Sequence, residues 1–280
     1  MNSSTIKNVL SIAGLDPSGG AGILADVKTI SALGSYACAV ITALTAQNTQ
    51  AVTAVENVSP RFVAQEIDTL FADVTIHATK IGMLSEIPLI ETVADRLIHW
   101  KAEKIVLDPV MVAKSGDHLL ARNAIGALKE MLLPQSLIIT PNLPEAAVLL
   151  NISVAENRKE MWRTAEQLHR LLNDSRPSWV LLKGGHAVGN EMVDMLYNGD
   201  KLYEYETQRI NTKNTHGTGC TYSSAIATLL AQEYDVPDAV EHAHRWLHQA
   251  IIEADKLSVG HGHGSTHHFH AWWQTGRKNI

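Results

Sequence analysis

Short apolar runs constrain this chain more than any other feature. Each ends in a polar or glycine-bearing cluster, and a stretch with helical periodicity usually precedes the next. The runs fall at 8–14, 36–44, 52–58, 78–81, 104–107, 136–140 and 179–183. Runs this short, with little polar alternation, suit strands covered on both faces. Apolar residues recur at helical spacing in 23–33, 60–71, 87–100, 122–132 and 158–172, and Pro141-Asn-Leu-Pro-Glu-Ala146 opens another helix. This alternation predicts an α/β fold: a mostly parallel central sheet flanked by helices on both faces. Two later segments, 192–197 and 202–207, alternate around Asn198-Gly199-Asp200. Asn-Gly between such segments signals a tight hairpin, here a small antiparallel addition to one edge. A last helix is expected at 239–256, behind Pro237. With 280 residues and no linker or repeat, the chain reads as one domain, 1–280.

Composition narrows the function. A net charge of −6 and a pI near 6.1 speak against a nucleic-acid surface. No apolar stretch reaches the roughly 18 residues of a membrane span. The first residues, Met1-Asn-Ser-Ser-Thr-Ile-Lys7, lack the apolar segment of a signal peptide. The two cysteines, Cys38 and Cys220, form no disulfide framework, so a reducing cytoplasm is expected.

Ligands of parallel α/β sheets bind beyond the carboxyl ends of the strands. Gln47, Met83, Asp108, Asn142 and Lys183 all lie just past an apolar run, so topology should bring them together. Gln47 offers donors and an acceptor, as reading a heterocycle edge requires. Asp108 suits Mg²⁺. Lys183, before two glycines, can reach phosphate. Asp26 lies one turn into the first helix, facing a pocket or solvent. Glu145 falls in a helix first turn, where the dipole alone favours an acid. The loop 113–117 has the polar, glycine-containing composition of a movable flap.

One polar loop passes through Gly217-Thr218-Gly219 into a helix of small apolar residues. Its free N–H groups and dipole make an anion site. Cys220 stands in the first turn, where a thiol is expected to ionise readily. The Gly20-Ala-Gly-Ile-Leu-Ala25 turn formally matches a dinucleotide fingerprint, but no acid lies between Asp26 and Glu56 to hold a ribose. Those glycines should line a different small-molecule pocket. No Gly-Lys pair exists, so there is no Walker A motif. The histidine-rich 259–270 segment has a composition that can bind Zn²⁺ or Ni²⁺, yet it lacks H-E-x-x-H.

Taken together, Ala13-Gly-Leu-Asp-Pro-Ser-Gly-Gly-Ala-Gly-Ile-Leu-Ala-Asp26, Thr42-Ala-Leu-Thr-Ala-Gln-Asn-Thr49, Lys80-Ile-Gly-Met-Leu84, Asp108-Pro-Val-Met-Val112, Thr140-Pro-Asn-Leu-Pro-Glu-Ala146, Leu182-Lys-Gly-Gly-His186 and Thr215-His-Gly-Thr-Gly-Cys220 resemble one family. It is the hydroxymethylpyrimidine/phosphomethylpyrimidine kinases of thiamine biosynthesis, in the ribokinase-like superfamily. The resemblance runs from about residue 8 to 273 and includes the Gly-His tail. It implies ATP, Mg²⁺, two successive phosphorylations of 4-amino-5-hydroxymethyl-2-methylpyrimidine, and a homodimer. By position it implies that Gln47 reads the pyrimidine, with Asp26, Met83 and Val110 also on the substrate side. Gly217, Thr218 and Gly219 would form the anion hole, and Cys220 would be the base. Lys183 and Asn142 would serve ATP, and Asp108 and Glu145 the metal. Two other readings stay open: a pyridoxal kinase of the same superfamily, and a non-catalytic pyrimidine-binding protein.

Overall fold

The computed structural model describes residues 5–111, 120–121, 123–172, 175–185 and 191–273. The expected flap at 113–117 lies outside them. Nine strands form one sheet: β1 (Asn8–Leu15), β2 (Tyr36–Gln47), β3 (Val52–Asn57), β4 (Ala78–Ile81), β5 (Ile105–Leu107), β6 (Ile138–Ile139), β7 (Trp179–Leu182), β8 (Glu191–Tyr197) and β9 (Leu202–Gln208). Their order is β3-β2-β1-β4-β5-β6-β7-β8-β9. The six strands from β2 to β7 in that order run parallel.

The helices are α1 (Gly22–Ala32), α2 (Pro60–Phe71), α3 (Ile87–His99), α4 (Ala124–Ala127), α5 (Leu143–Leu150), α6 (Arg158–His169), α7 (Thr218–Ala231) and α8 (Val236–Ile252). Two apolar cores lie on opposite faces of the sheet. One joins β-strand residues such as Ile12, Leu107 and Leu182 to α2, α3, α5 and α6. The other joins Val9, Val106 and Leu181 to α1, α7 and α8. Neighbouring strand residues, such as Val106 and Leu107, thus feed different cores, as the period of two demands. α7 is buried nearly all round because it lies between the sheet and both α1 and α8, so small and apolar residues occupy every face.

The hairpin forms as expected: β8 and β9 pair antiparallel about Asn198–Gly199, and Asn198 Oδ1 accepts from the Asp200 and Lys201 amides. Two details differ from expectation. β3 is antiparallel and forms the opposite edge. Only residues 48–51 separate it from β2, too short a link for a crossover, and Asn48 Oδ1 closes the turn on the Gln50 and Ala51 amides. The helix expected at 122–132 is regular only over α4, then widens into a π turn and ends in a 3-10 turn containing Pro134.

β1 leads through α1 to β2 on one side, while β4 lies on the other. The chain therefore reverses its direction of growth at β1, which opens a crevice beyond the carboxyl ends of these strands.

Candidate active site

A cleft of about 520 Å³ occupies that crevice. Gln47, Met83, Asp108 and Lys183 line it from the ends of β2, β4, β5 and β7; Val110, Asn142 and Glu145 line it from the segments that follow. Gly217, Thr218, Gly219 and Cys220 close it from the start of α7. Residues from Gln47 to Cys220 therefore meet because each lies at or just beyond the end of a strand or at the start of α7.

The α7 start depends on its glycines. Gly217 has φ 75°, and a Cβ there would collide with the carbonyl oxygen of Gly20. The Gly20–Gly22 turn and the Gly217 turn are thus pressed together, and Ala21 and Gly22 line the cleft as well. At Gly219 a Cβ would stand 3.3 Å from Lys183 Nζ and 3.4 Å from Asp108 Oδ2. The absence of a side chain keeps the helix N-terminus open to an anion between them.

Charge concentrates at this end. Lys183 donates to Asp108 Oδ1 at 2.8 Å, and Thr140 donates to the same oxygen at 3.0 Å. Burial alone would lower the Lys183 pKa, but the charges of Asp108 and Glu145 outweigh it and hold the ammonium above its ordinary value. Asn142 and Glu145 form a capping box: Asn142 Oδ1 accepts from the Glu145 amide at 2.8 Å, and Glu145 Oε2 accepts from the Asn142 amide at 2.9 Å. Burial pushes Glu145 up to about 7, with Lys183 pulling it down and Asp108 pushing it further up. Two carboxylates beside a lysine match the way Mg²⁺ is usually held, by few protein oxygens together with waters and phosphate. No group of three or more candidate ligands exists among the described residues, so a tightly caged ion is not what this donor set suits.

The other end is hydrogen-bonded, with the neutral Gln47 carboxamide beside a paired Asp16 carboxylate. Gln47 lies within 3.1 Å of Thr45 Oγ1 and 3.5 Å of His216 Nε2. His216 Nε2 is 2.7 Å from Asp16 Oδ2, a pair 200 positions apart. Asp16 also accepts from the Ser18 amide and hydroxyl and from the Ala21 amide. Burial alone would raise Asp16, but hydrogen bonds from His216 and Ser18 bring it below its usual value.

Two expectations need correction. Asp26 does not line the cleft. It is 0% exposed, and its carboxylate is filled by Ser11 at 2.6 Å, Lys80 at 2.7 Å and Ser224 at 2.8 Å. Helical spacing cannot reveal that Lys80 of β4 and Ser224 of α7 converge on it. Cys220 is not an easily ionised thiol. Burial pushes it up to about 11; Lys80 and a hydrogen bond from the Gly22 amide pull it down, while Asp26 and Asp108 add to the rise. The helix dipole was the expected dominant influence, and desolvation is the larger one.

Sequence reasoning missed Asp16, Lys80 and His216 as contributors. All three stand in the motifs quoted above, and two of them border residues that were singled out: His216 precedes Gly217, and Asp16 opens the glycine turn. A buried lysine within an apolar strand was the signal for Lys80. The histidine-rich tail is a strap against α7 and the site loops. His268 Nε2 is 3.0 Å from Thr221 Oγ1, Gly264 O accepts from the His216 amide, and the His263 amide donates to Thr49 O.

The family profile described as phosphomethylpyrimidine kinase matches residues 16–267. The hydroxymethylpyrimidine/phosphomethylpyrimidine kinase of Escherichia coli (strain K12) is 51% identical over 266 residues, covering 95% of this chain and 98% of that one. The crystal structure of phosphomethylpyrimidine kinase from Clostridium difficile 630 superposes with TM-score 0.77 at 39% identity, over 88% of this chain and 99% of that chain. An ADP complex of Bacillus subtilis pyridoxal kinase superposes with TM-score 0.85 at 30% identity, over 94% of this chain and 98% of that chain.

Proposed function

This chain belongs to the phosphomethylpyrimidine kinase family, and from that premise we propose how its cleft carries out the family's chemistry. The enzyme phosphorylates 4-amino-5-hydroxymethyl-2-methylpyrimidine and then its monophosphate, in thiamine biosynthesis, with ATP as donor. One observation carries the reading: a single cleft has a neutral, hydrogen-bonding end around Gln47 and a charged end around Asp108, Lys183 and α7.

Gln47 reads the pyrimidine, since a carboxamide complements a ring nitrogen beside an amino group. Met83 and Val110 wall the ring. The Gly217–Thr218–Gly219 turn and the α7 N-terminus stabilise the transferring phosphoryl group, and Lys183 and Asn142 face the nucleotide phosphates. Asp108 and Glu145 would hold Mg²⁺, which when bound neutralises phosphate charge.

Cys220 stands where the acceptor hydroxyl must lose its proton, and a base there removes it. The burial that pushes this thiol up to about 11 favours a second role, in which the thiol positions the hydroxyl. A loose transition state, with little need for early proton removal, is compatible with that role. The chain acts as one kinase domain, 1–280, in the cytoplasm and as a homodimer. The two unpaired cysteines suit a reducing compartment, and light scattering of the purified protein tests the dimer.

A coupled ATPase assay with the pyrimidine alcohol and pyridoxal side by side tests the function. Turnover of the pyrimidine alcohol, with formation first of the monophosphate and then of the diphosphate, is expected. Turnover of pyridoxal alone would instead place the chain with the pyridoxal kinases it resembles in shape.

A further inference from the structure

The two faces of the Gln47 carboxamide meet different neighbours. Thr45 Oγ1 lies 3.1 Å from Gln47 Oε1 and 2.8 Å from the carbonyl oxygen of Leu15. One hydroxyl proton cannot serve both oxygens, and the shorter contact claims it. On the other side, Gln47 Nε2 lies 3.5 Å from His216 Nε2. That ring nitrogen is 2.7 Å from Asp16 Oδ2. An ionised carboxylate only accepts, so Nε2 of His216 carries the proton and donates to it. Asp16, held below its usual pKa, is ionised at neutral pH. An amide nitrogen facing this N–H would set donor against donor. The opposite rotamer removes both conflicts. The NH2 then donates to Thr45 Oγ1, and the oxygen takes the place beside His216, whose N–H is already given to Asp16 and only excludes an amide NH2 from that side. Amide orientation of this kind is assigned from such networks.

His216 is itself fixed. A Cβ at Gly20 would collide with its ring, so the imidazole packs with its Cδ2 edge close against that turn. Its amide donates to Gly264 O at 3.0 Å, and it bridges Ser265 of the C-terminal strap. The same strap holds Thr49, two residues beyond Gln47, through the amides of Gly262 and His263.

We propose that Asp16 and His216 are positioning residues that lock the Gln47 carboxamide in one orientation, and thereby make the cleft select an aminopyrimidine over the corresponding oxopyrimidine. The inference rests on the reading of Gln47 as the group that meets the heterocycle. With Thr45 bonded to one side of the carboxamide and the His216 N–H excluding an NH2 from the other, its outer edge remains for substrate: oxygen near His216, N–H near Thr45. A 4-amino group beside an unprotonated ring nitrogen matches that edge. A 4-oxo group beside a ring N–H presents the reverse pattern and needs the flipped amide.

The test is kcat/KM for the 4-amino and 4-oxo forms of the hydroxymethylpyrimidine, in wild type, His216→Leu, His216→Gln, Asp16→Asn and Gln47→Ala. His216→Leu should lower the preference for the amino form roughly threefold, the low end of the hydrogen-bond scale because a misplaced donor and not a bond is removed, leaving the KM for ATP unmoved. His216→Gln, which can restore an N–H donor, should recover part of the preference. Asp16→Asn preserves size and should also weaken it, which keeps the idea testable if His216→Leu folds poorly. Adding His216→Leu to Gln47→Ala should change the preference no further. If His216→Leu and Asp16→Asn slow both substrates by the same factor, the pair only supports the fold and the proposal is overturned. If Gln47→Ala keeps the wild-type preference, the Gln47 reading itself fails, a result distinct from the first.

Discussion

The two ends of the cleft solve opposite problems. At the Gln47 end, the donors and acceptors of Asp16, Ser18, Thr45 and His216 are matched at 2.7–2.9 Å. At the charged end, Asp108, Lys183, Glu145 and Cys220 are crowded into a poorly solvated space, and three of them titrate away from their ordinary ranges. A fully paired network costs little to keep rigid and suits the recognition of an uncharged ring. Crowded charges have no such resting balance. Their protonation depends on what binds, which suits a site that must accept several phosphate charges at once. Shape is therefore settled before substrate arrives at one end, and charge only after it arrives at the other.

Both ends stand on one buried ion pair, and removing it gives the largest expected effect. Lys80 and Asp26 are 0% exposed and 2.7 Å apart, and Asp26 ties β1 to α7 through Ser11 and Ser224. The Asp26 charge helps hold Lys80 above its ordinary pKa against burial. Asp26→Ala would leave that buried ammonium without its paired carboxylate, at a cost of about 3–5 kcal/mol of stability. Urea unfolding should show this as a lower midpoint, and both substrates should bind more weakly. A loss under about 1 kcal/mol would mean that water reaches Lys80 and that the two ends do not share this support.

Cys220→Ala separates the chemistry of the charged end from its binding. The expected loss is about two orders of magnitude in kcat for the first phosphorylation, within the range of general-base help. The second phosphorylation has an ionised phosphate as acceptor and needs no base, so a far smaller loss there would assign Cys220 to proton removal. Equal losses in both steps would assign Cys220 to positioning. Thiol alkylation reads the local charge directly. Only the thiolate reacts, and with the pKa raised to about 11 its fraction keeps growing with pH past the ordinary thiol range. The alkylation rate should therefore still be rising at pH 9–10; a plateau below pH 8 would show that the helix dipole outweighs burial.

How much of this was legible beforehand differs between the two ends in the same way. Asp108, Asn142, Lys183 and Gly217–Cys220 each stand at a strand end or helix start, a position that periodicity and glycines reveal one segment at a time. So do Gln47, the strand order's parallel core and the Asn198–Gly199 hairpin. The Asp16–His216 contact spans 200 positions and obeys no local spacing. Asp26 sits at an ordinary helical position, and only the arrival of Lys80 from β4 makes it a buried support. The rise in Cys220 was hidden for a related reason: a helix start is visible in sequence, whereas the surround that desolvates it is assembled from β1, β4, β5 and α1. The direction of β3 was readable, since four residues cannot cross over a sheet.

Glu145→Gln sharpens the contrast at the charged end. Glutamine keeps the acceptor that caps the Asn142 amide, so the helix start should survive. It loses the negative charge. If Glu145 helps hold Mg²⁺, directly or through water, the Mg²⁺ concentration for half-maximal rate should rise about tenfold, the scale of a charge-assisted hydrogen bond. The KM for the pyrimidine should stay put. A Mg²⁺ titration that overlays the wild type would leave Glu145 only its capping role.

The smallest effect is expected at the neutral end. Gln47→Ala removes two neutral hydrogen bonds to the ring, but water can enter the half-buried space and partly replace them. Each neutral bond contributes about 0.5–1.5 kcal/mol net, so the KM for the pyrimidine alcohol should rise roughly three- to tenfold. The KM for ATP and the Mg²⁺ requirement should not move, because among the described residues no hydrogen bond joins the Thr45–Gln47–His216 network to Asp108, Lys183 or Glu145. The decisive quantity is therefore the pair of responses. Gln47→Ala should change only the pyrimidine KM, and Glu145→Gln only the metal requirement. If either variant moves both, the two ends are coupled through the shared Gly20–Gly217 contact, and the division between a preset neutral end and a ligand-set charged end does not hold.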